Sequence, residues 1–191
     1  MSRENKRNFR DGFKISKTIQ ACLLITIPAF FTGCYQCEET YLVKHFSPVY
    51  MQRAELENSI KASDAKLIES PGKIYAKDQL FFIVEQQKGI HVIDNSNPQQ
   101  PAIIQFIEVP GIAEIQMKNN VILANNAVDL VTIDISDLSN PKELGRVVEL
   151  FPYQQPSSES GRITYGSIDP EQGYVINWEE ESREQTKSCY E

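Results

Sequence analysis

The sequence predicts an all-β protein built from repeated units of four short strands. Three observations carry that prediction. From Ser70 onward, short apolar and β-branched runs alternate with turn residues. The pattern recurs after forty positions, "IHVIDNSNPQQP" beginning at Ile90 and "LVTIDISDLSNP" at Leu130. Prolines at Pro98, Pro101 and Pro141 exclude a helical repeat of that period, because proline breaks helix interiors. Four strands in a period of about 40–45 residues is the pattern of a propeller blade. The expected fold is therefore a propeller-like array of about two and a half four-stranded blades, preceded by a short N-terminal helix.

The first 33 residues read as an address rather than as fold. Residues 1–17 hold six Lys/Arg against Glu4 and Asp11, and residues 21–31, "ACLLITIPAFF", form an apolar stretch. Eleven residues are too few to span a bilayer as a helix, which takes about 20, but they suit the apolar region of a secretory signal. The stretch ends in Phe31, Thr32, Gly33 and Cys34, which resembles a bacterial lipobox, Phe31 standing where leucine is usual. That resemblance implies lipidation of Cys34 and retention at a membrane. Gln36 after the cysteine favours an outer-membrane destination, and "CEE" from Cys37 resembles the acidic surface-export tags of Bacteroidetes lipoproteins. Cys22 leaves with the signal; whether Cys37 and Cys189 pair is not readable from sequence.

Residues 34–69 read as a linker and a short helix. "QRAELENSIKAS" from Gln52 places Glu55 at capping-box distance and Leu56 and Ile60 on one face. Residues 70–178 hold the strands: Lys73–Ala76, Leu80–Val84, Ile90–Asp94 and Ile103–Val109. "LFFIV" is apolar throughout, as a strand covered on both faces must be. A shift of forty carries Phe81–Val84 onto Val121–Ala124 and Pro101 onto Pro141, with no gap expected from Phe81 to Val109. Ile163–Tyr165 and Gly173–Trp178 read as the first two strands of a third unit, and 179–191 as a polar tail. Propellers close with about 4–8 blades. The chain therefore reads as truncated, the alternatives being self-association through open blade edges or a small sandwich.

The two copies, "IHVIDNSNPQQP" and "LVTIDISDLSNP", resemble the LVIVD repeat, a bacterial propeller-type unit. The resemblance covers about residues 70–178 and implies a β-propeller scaffold with no family catalytic motif.

Little in the chain points to chemistry. Beyond residue 33 there are 13 Lys/Arg and 24 Asp/Glu, a charge that repels phosphate backbones and argues against nucleic acid. Asp94 and Asp134 recur at one point of the repeat, with Ser96, Ser136, Pro101 and Pro141 around them. Asp in such a setting bonds turn amides, so these residues read as turn-formers rather than as a carboxylate pair. "DNSNP" lacks the ligand spacing of a calcium loop. His45 and His91 are the only histidines, and His91 falls on Val131 in the repeat, the place of a packing residue. No catalytic residue, metal site or cofactor is expected. The sequence reads as a non-catalytic lipoprotein of the bacterial cell envelope, its repeats offering a surface to a protein or glycan. The alternative is a hydrolase whose site is assembled across blades.

Overall fold

The structure is a computed structural model that describes residues 38–156 and 162–188. Phe31, Thr32, Gly33, Cys34, Cys37 and Cys189 lie outside the described residues. Among those described, no helix is long and apolar enough to cross a membrane. Residues Thr40–Gln185 form one compact unit.

The chain begins with strand β1 (Glu38–Met51) and a single helical turn, α1 (Arg53–Leu56). A short strand follows, β2 (Lys61–Ser63). The first meander is β3 (Pro71–Lys77), β4 (Leu80–Glu85), β5 (Gly89–Asp94) and β6 (Ala102–Glu108). The second is β7 (Ile115–Lys118), β8 (Val121–Asn126), β9 (Asp129–Asp134) and β10 (Lys142–Val147). Last come β11 (Arg162–Tyr165) and β12 (Tyr174–Ser188).

The expectation of four antiparallel strands per repeat matches both meanders, and β2 adds a fifth strand to the first, in the order β2-β6-β5-β4-β3. The hairpin β5–β6 repeats as β9–β10 with an offset of forty, down to an irregularity that skips Ile104 in one and Leu144 in the other. The gap-free register does not hold, however. Lys77 pairs with Leu80 and Lys118 with Val121, an offset of 41. The β4–β5 loop has three residues, Gln86, Gln87 and Lys88, whereas β8–β9 turns on Ala127 and Val128 alone. One residue is lost there, so Phe81 corresponds to Ile122 rather than to Val121.

That single residue clarifies how the meanders pack. The core between them holds Phe82, Val84, Ile90 and Val92 from the first and Ile122, Ala124, Val131 and Ile133 from the second. By strand register, Ile122 and Ala124 correspond to Phe81 and Ile83, and Val131 and Ile133 to His91 and Ile93. These four lie on the opposite side of the first meander, because neighbouring side chains alternate. The meanders therefore stack front to back, not face to face.

The third unit differs from expectation. β11 and β12 are not neighbours; β1 lies between them in a three-stranded sheet, parallel to β11 with Val43 opposite Arg162 and Phe46 opposite Tyr165. β1 was hidden in the segment read as linker because Pro48 interrupts it. β11 ends opposite Phe46, so at Pro48 β1 lacks a partner on that side and the missing N–H is tolerated. The residues read as a polar tail continue β12 to Ser188. Phe46, Val175 and Trp178 form a separate small core with Tyr165. The expected helix is one turn only: Gln52 makes no side-chain cap, Leu56 is fully buried, and Ser59 Oγ donates to Leu56 O at 2.8 Å, ending it.

Candidate functional site

Glu85 ends β4 and His91 lies in β5. Their strands pair Ile83 with His91 and Glu85 with Gly89, so the two side chains are diagonal neighbours on the side of the first meander facing away from the second. Glu85 Oε2 and His91 Nε2 are 2.9 Å apart, with Glu85 2% exposed and His91 fully buried. Buried charge is costly unless hydrogen bonds satisfy it, and Glu85 has them. Ser70 N donates to Oε1 at 2.5 Å and Glu69 N to Oε2 at 3.1 Å. The carboxylate thus ties down the end of a strap, residues 64–70, that crosses this side of the sheet. Burial pushes the Glu85 carboxyl up, but the hydrogen bonds from Ser70, His91 and Glu69 outweigh it and hold the pKa below the ordinary 4.5.

A depressed carboxyl pKa stabilises the fold above the ordinary value, and that contribution fades as pH falls through the lower folded value. Glu85→Gln is expected to lower stability at pH 7 by about 2 kcal/mol, the scale of hydrogen bonds to a charged group. Below pH 4.5 the gap between wild type and variant should narrow, closing once pH has passed the lower folded value. Urea midpoints measured across pH check this; a constant gap between the two curves down to pH ~2 would count against it.

Phe106 packs on His91 with centroids 4.8 Å apart, and Lys66 of the strap places Nζ 4.5 Å from the Phe106 centroid while pairing with Glu108. Gly89 makes room for that ring: a Cβ there would lie 2.7 Å from Phe106 Cζ. Beside these residues is a cavity of about 750 Å³, lined by Glu85, His91, Phe106, Leu67, Ile176 and Lys88 among others. His91 Nδ1 is buried and has no hydrogen-bond partner. An unmet buried polar atom costs about 1–3 kcal/mol, and this one lies beneath Phe106 beside the cavity rather than open to it.

The sequence signal for this pair was present but unread. The strand read over Leu80–Val84 stops one residue short of Glu85, and His91 reads as a packing residue from its match with Val131. Their corresponding positions in the second meander are Asn126 and Val131, so a titratable pair replaces an amide and an aliphatic in one repeat only.

A second buried cluster is structural. Asp129 is fully buried and accepts from Arg53 Nη1 at 2.8 Å, from Arg146 Nη1 at 2.6 Å and from Glu149 N at 2.9 Å. Arg146 also donates to Asn126 Oδ1 and Glu143 Oε2. These contacts pin α1 and the end of β10 to β9.

The repeated aspartates stay within their own turns. Asp94 Oδ1 accepts from Ser96 N at 2.8 Å, and Asp134 Oδ1 accepts from Ser136 N at 2.9 Å and Ser136 Oγ at 2.7 Å. Pro101 and Pro141 sit immediately before β6 and β10, where no ladder N–H is needed. His45 Nδ1 lies 2.9 Å from Thr164 Oγ1, joining β1 to β11. Among the described residues, no group of three or more His, Cys, Asp or Glu could hold a metal ion.

The family model for the LVIVD repeat matches residues 73–107 and 121–149. No curated protein and no solved structure matches the chain. The first match lies within β3–β6, and the second spans β8–β10. The chain is thus a β-rich repeat protein that carries two LVIVD repeats, one in each of the stacked meanders.

Proposed function

We propose that this chain is a non-catalytic binding or scaffold protein of the bacterial cell envelope. Its lipid anchor is Cys34, its destination is the outer membrane, and its propeller-type repeats serve a protein or glycan ligand. The observation that carries the reading is the cavity of about 750 Å³ over the first meander, with a largely apolar lining and fixed polar groups at its wall. Front-to-back stacking supports the propeller-type reading, since successive blades present opposite sheet faces to each other. A hydrolase is the second reading, because Glu85 and His91 form an acid–base pair. Glu85 is committed to three donors that hold the strap and position His91, which favours binding over proton transfer.

The test has two arms. Palmitate should label the wild-type chain, and Cys34→Ala should be unlabelled and leave the membrane fraction. The purified chain should retain a glycan or an envelope protein that Leu67→Arg, altered at an 84% exposed rim position, no longer retains. Unchanged membrane retention without label would sink the anchor, and equal retention by the variant would sink the cavity.

A further inference from the structure

Three features of the cavity wall restrict what it can hold. Among the described residues that line it, the buried side-chain polar atom without a hydrogen-bond partner is His91 Nδ1. The Nε2 atom of the same ring faces the Glu85 carboxylate and donates to it, and a second proton on Nδ1 would be a buried donor without a partner, so the geometry leaves Nδ1 as an acceptor. Finally, Glu69, Glu85 and Glu108 outnumber Lys66 and Lys88 among the lining residues, and both lysines are already paired, Lys66 with Glu108 and Lys88 with Glu69. A carboxylate or phosphate would meet a wall of its own sign.

We propose that this cavity binds a small neutral ligand whose hydroxyl donates a hydrogen bond to His91 Nδ1, its apolar body lying against Leu67 and Ile176. The inference rests on the binding reading above and names the ligand chemistry of that site. A sugar hydroxyl and a phenol share this chemistry. Because His91 has no exposed surface and Phe106 packs on its ring, the proposed contact requires Phe106, and the Lys66 that lies over it, to move aside. The second repeat has Val131 at the corresponding position and offers no such acceptor. Ligand specificity is thus confined to the first repeat.

The experiment uses the full chain with ¹⁵N-labelled histidine, where only His45 and His91 report. Methyl β-glucoside and p-cresol are titrated separately, with 4-methylanisole as the phenol lacking its donor and glucuronic acid as the charged sugar. One neutral hydroxyl probe should move the His91 Nδ1 resonance while Nε2 keeps its proton, and which probe does so separates sugar from phenol. The donor-less and charged probes should leave Nδ1 unmoved. His91→Gln, whose amide can still reach Glu85 but which has no atom at Nδ1, should bind that probe about tenfold more weakly, the loss of one hydrogen bond to a buried acceptor. Binding with Nδ1 unmoved and unchanged affinity in His91→Gln overturns the inference and leaves the binding reading standing. Binding by neither neutral probe also overturns the inference, whereas the binding reading fails only if Leu67→Arg retains the glycan or envelope protein as well as wild type does.

Discussion

Asp129→Ala is expected to cost about 3–5 kcal/mol, the range for removing one partner of a buried ion pair. Asp129 has no exposed surface, and the Arg146 side chain that faces it is only 8% exposed. Removing the carboxylate leaves that guanidinium in a low-dielectric setting with Glu143 as its remaining ion partner, takes from Arg53 one of its two carboxylates, Glu57 remaining, and frees the Glu149 N–H. Replacing the cluster by well-packed apolar residues is a different operation, which often proves neutral. The urea midpoint of Asp129→Ala against wild type measures the effect. A loss under about 1 kcal/mol would show that water reaches the arginines and that the cluster behaves as a surface pair.

Phe82→Ala should cost a similar 3–5 kcal/mol, for a different reason. Phe82 is fully buried between the two meanders, opposite Val92 in the ladder, and its ring fills the core that stacking creates. Truncation loses the transfer energy of the ring and leaves a void that rigid strands close only in part. Ile74 is the control. It sits on the outer side of β3 at 62% exposure, and Ile74→Ala should stay within about 0.5 kcal/mol. Similar midpoints for the two variants would mean that the meanders do not stack through this core.

The strands of the two repeats were legible because their causes are local. Apolar runs such as "LFFIV" and turn-formers such as Asp94 and Asp134 act within a few residues, and the forty-residue echo shows that both units need them. The doubly apolar strand also has its explanation in the stacking. Phe82 and Val84 face the second meander, while Phe81 and Ile83 occupy the positions that in the second meander face the first.

Other features depend on contacts between distant segments. The shortened β8–β9 turn changes which residue faces the core, yet a missing residue between two apolar runs leaves the apolar pattern almost unchanged. β1 looked like linker because its strand is defined by β11 and β12, more than a hundred residues later. Glu85 and His91 were each unremarkable in sequence. Their site exists because a diagonal pairing brings them to 2.9 Å and because residues 69 and 70 return to donate their amides.

By itself, then, the sequence determined a β-rich repeat protein: periodicity, turn chemistry and proline placement are short-range constraints that any fold of this chain must obey. Only the tertiary structure decided that the repeats stack front to back, that β1 joins the C-terminal strands, and that a buried histidine beside a cavity lacks a partner. Those outcomes depend on which distant surfaces exclude water together, and residue spacing along a single chain does not encode that legibly.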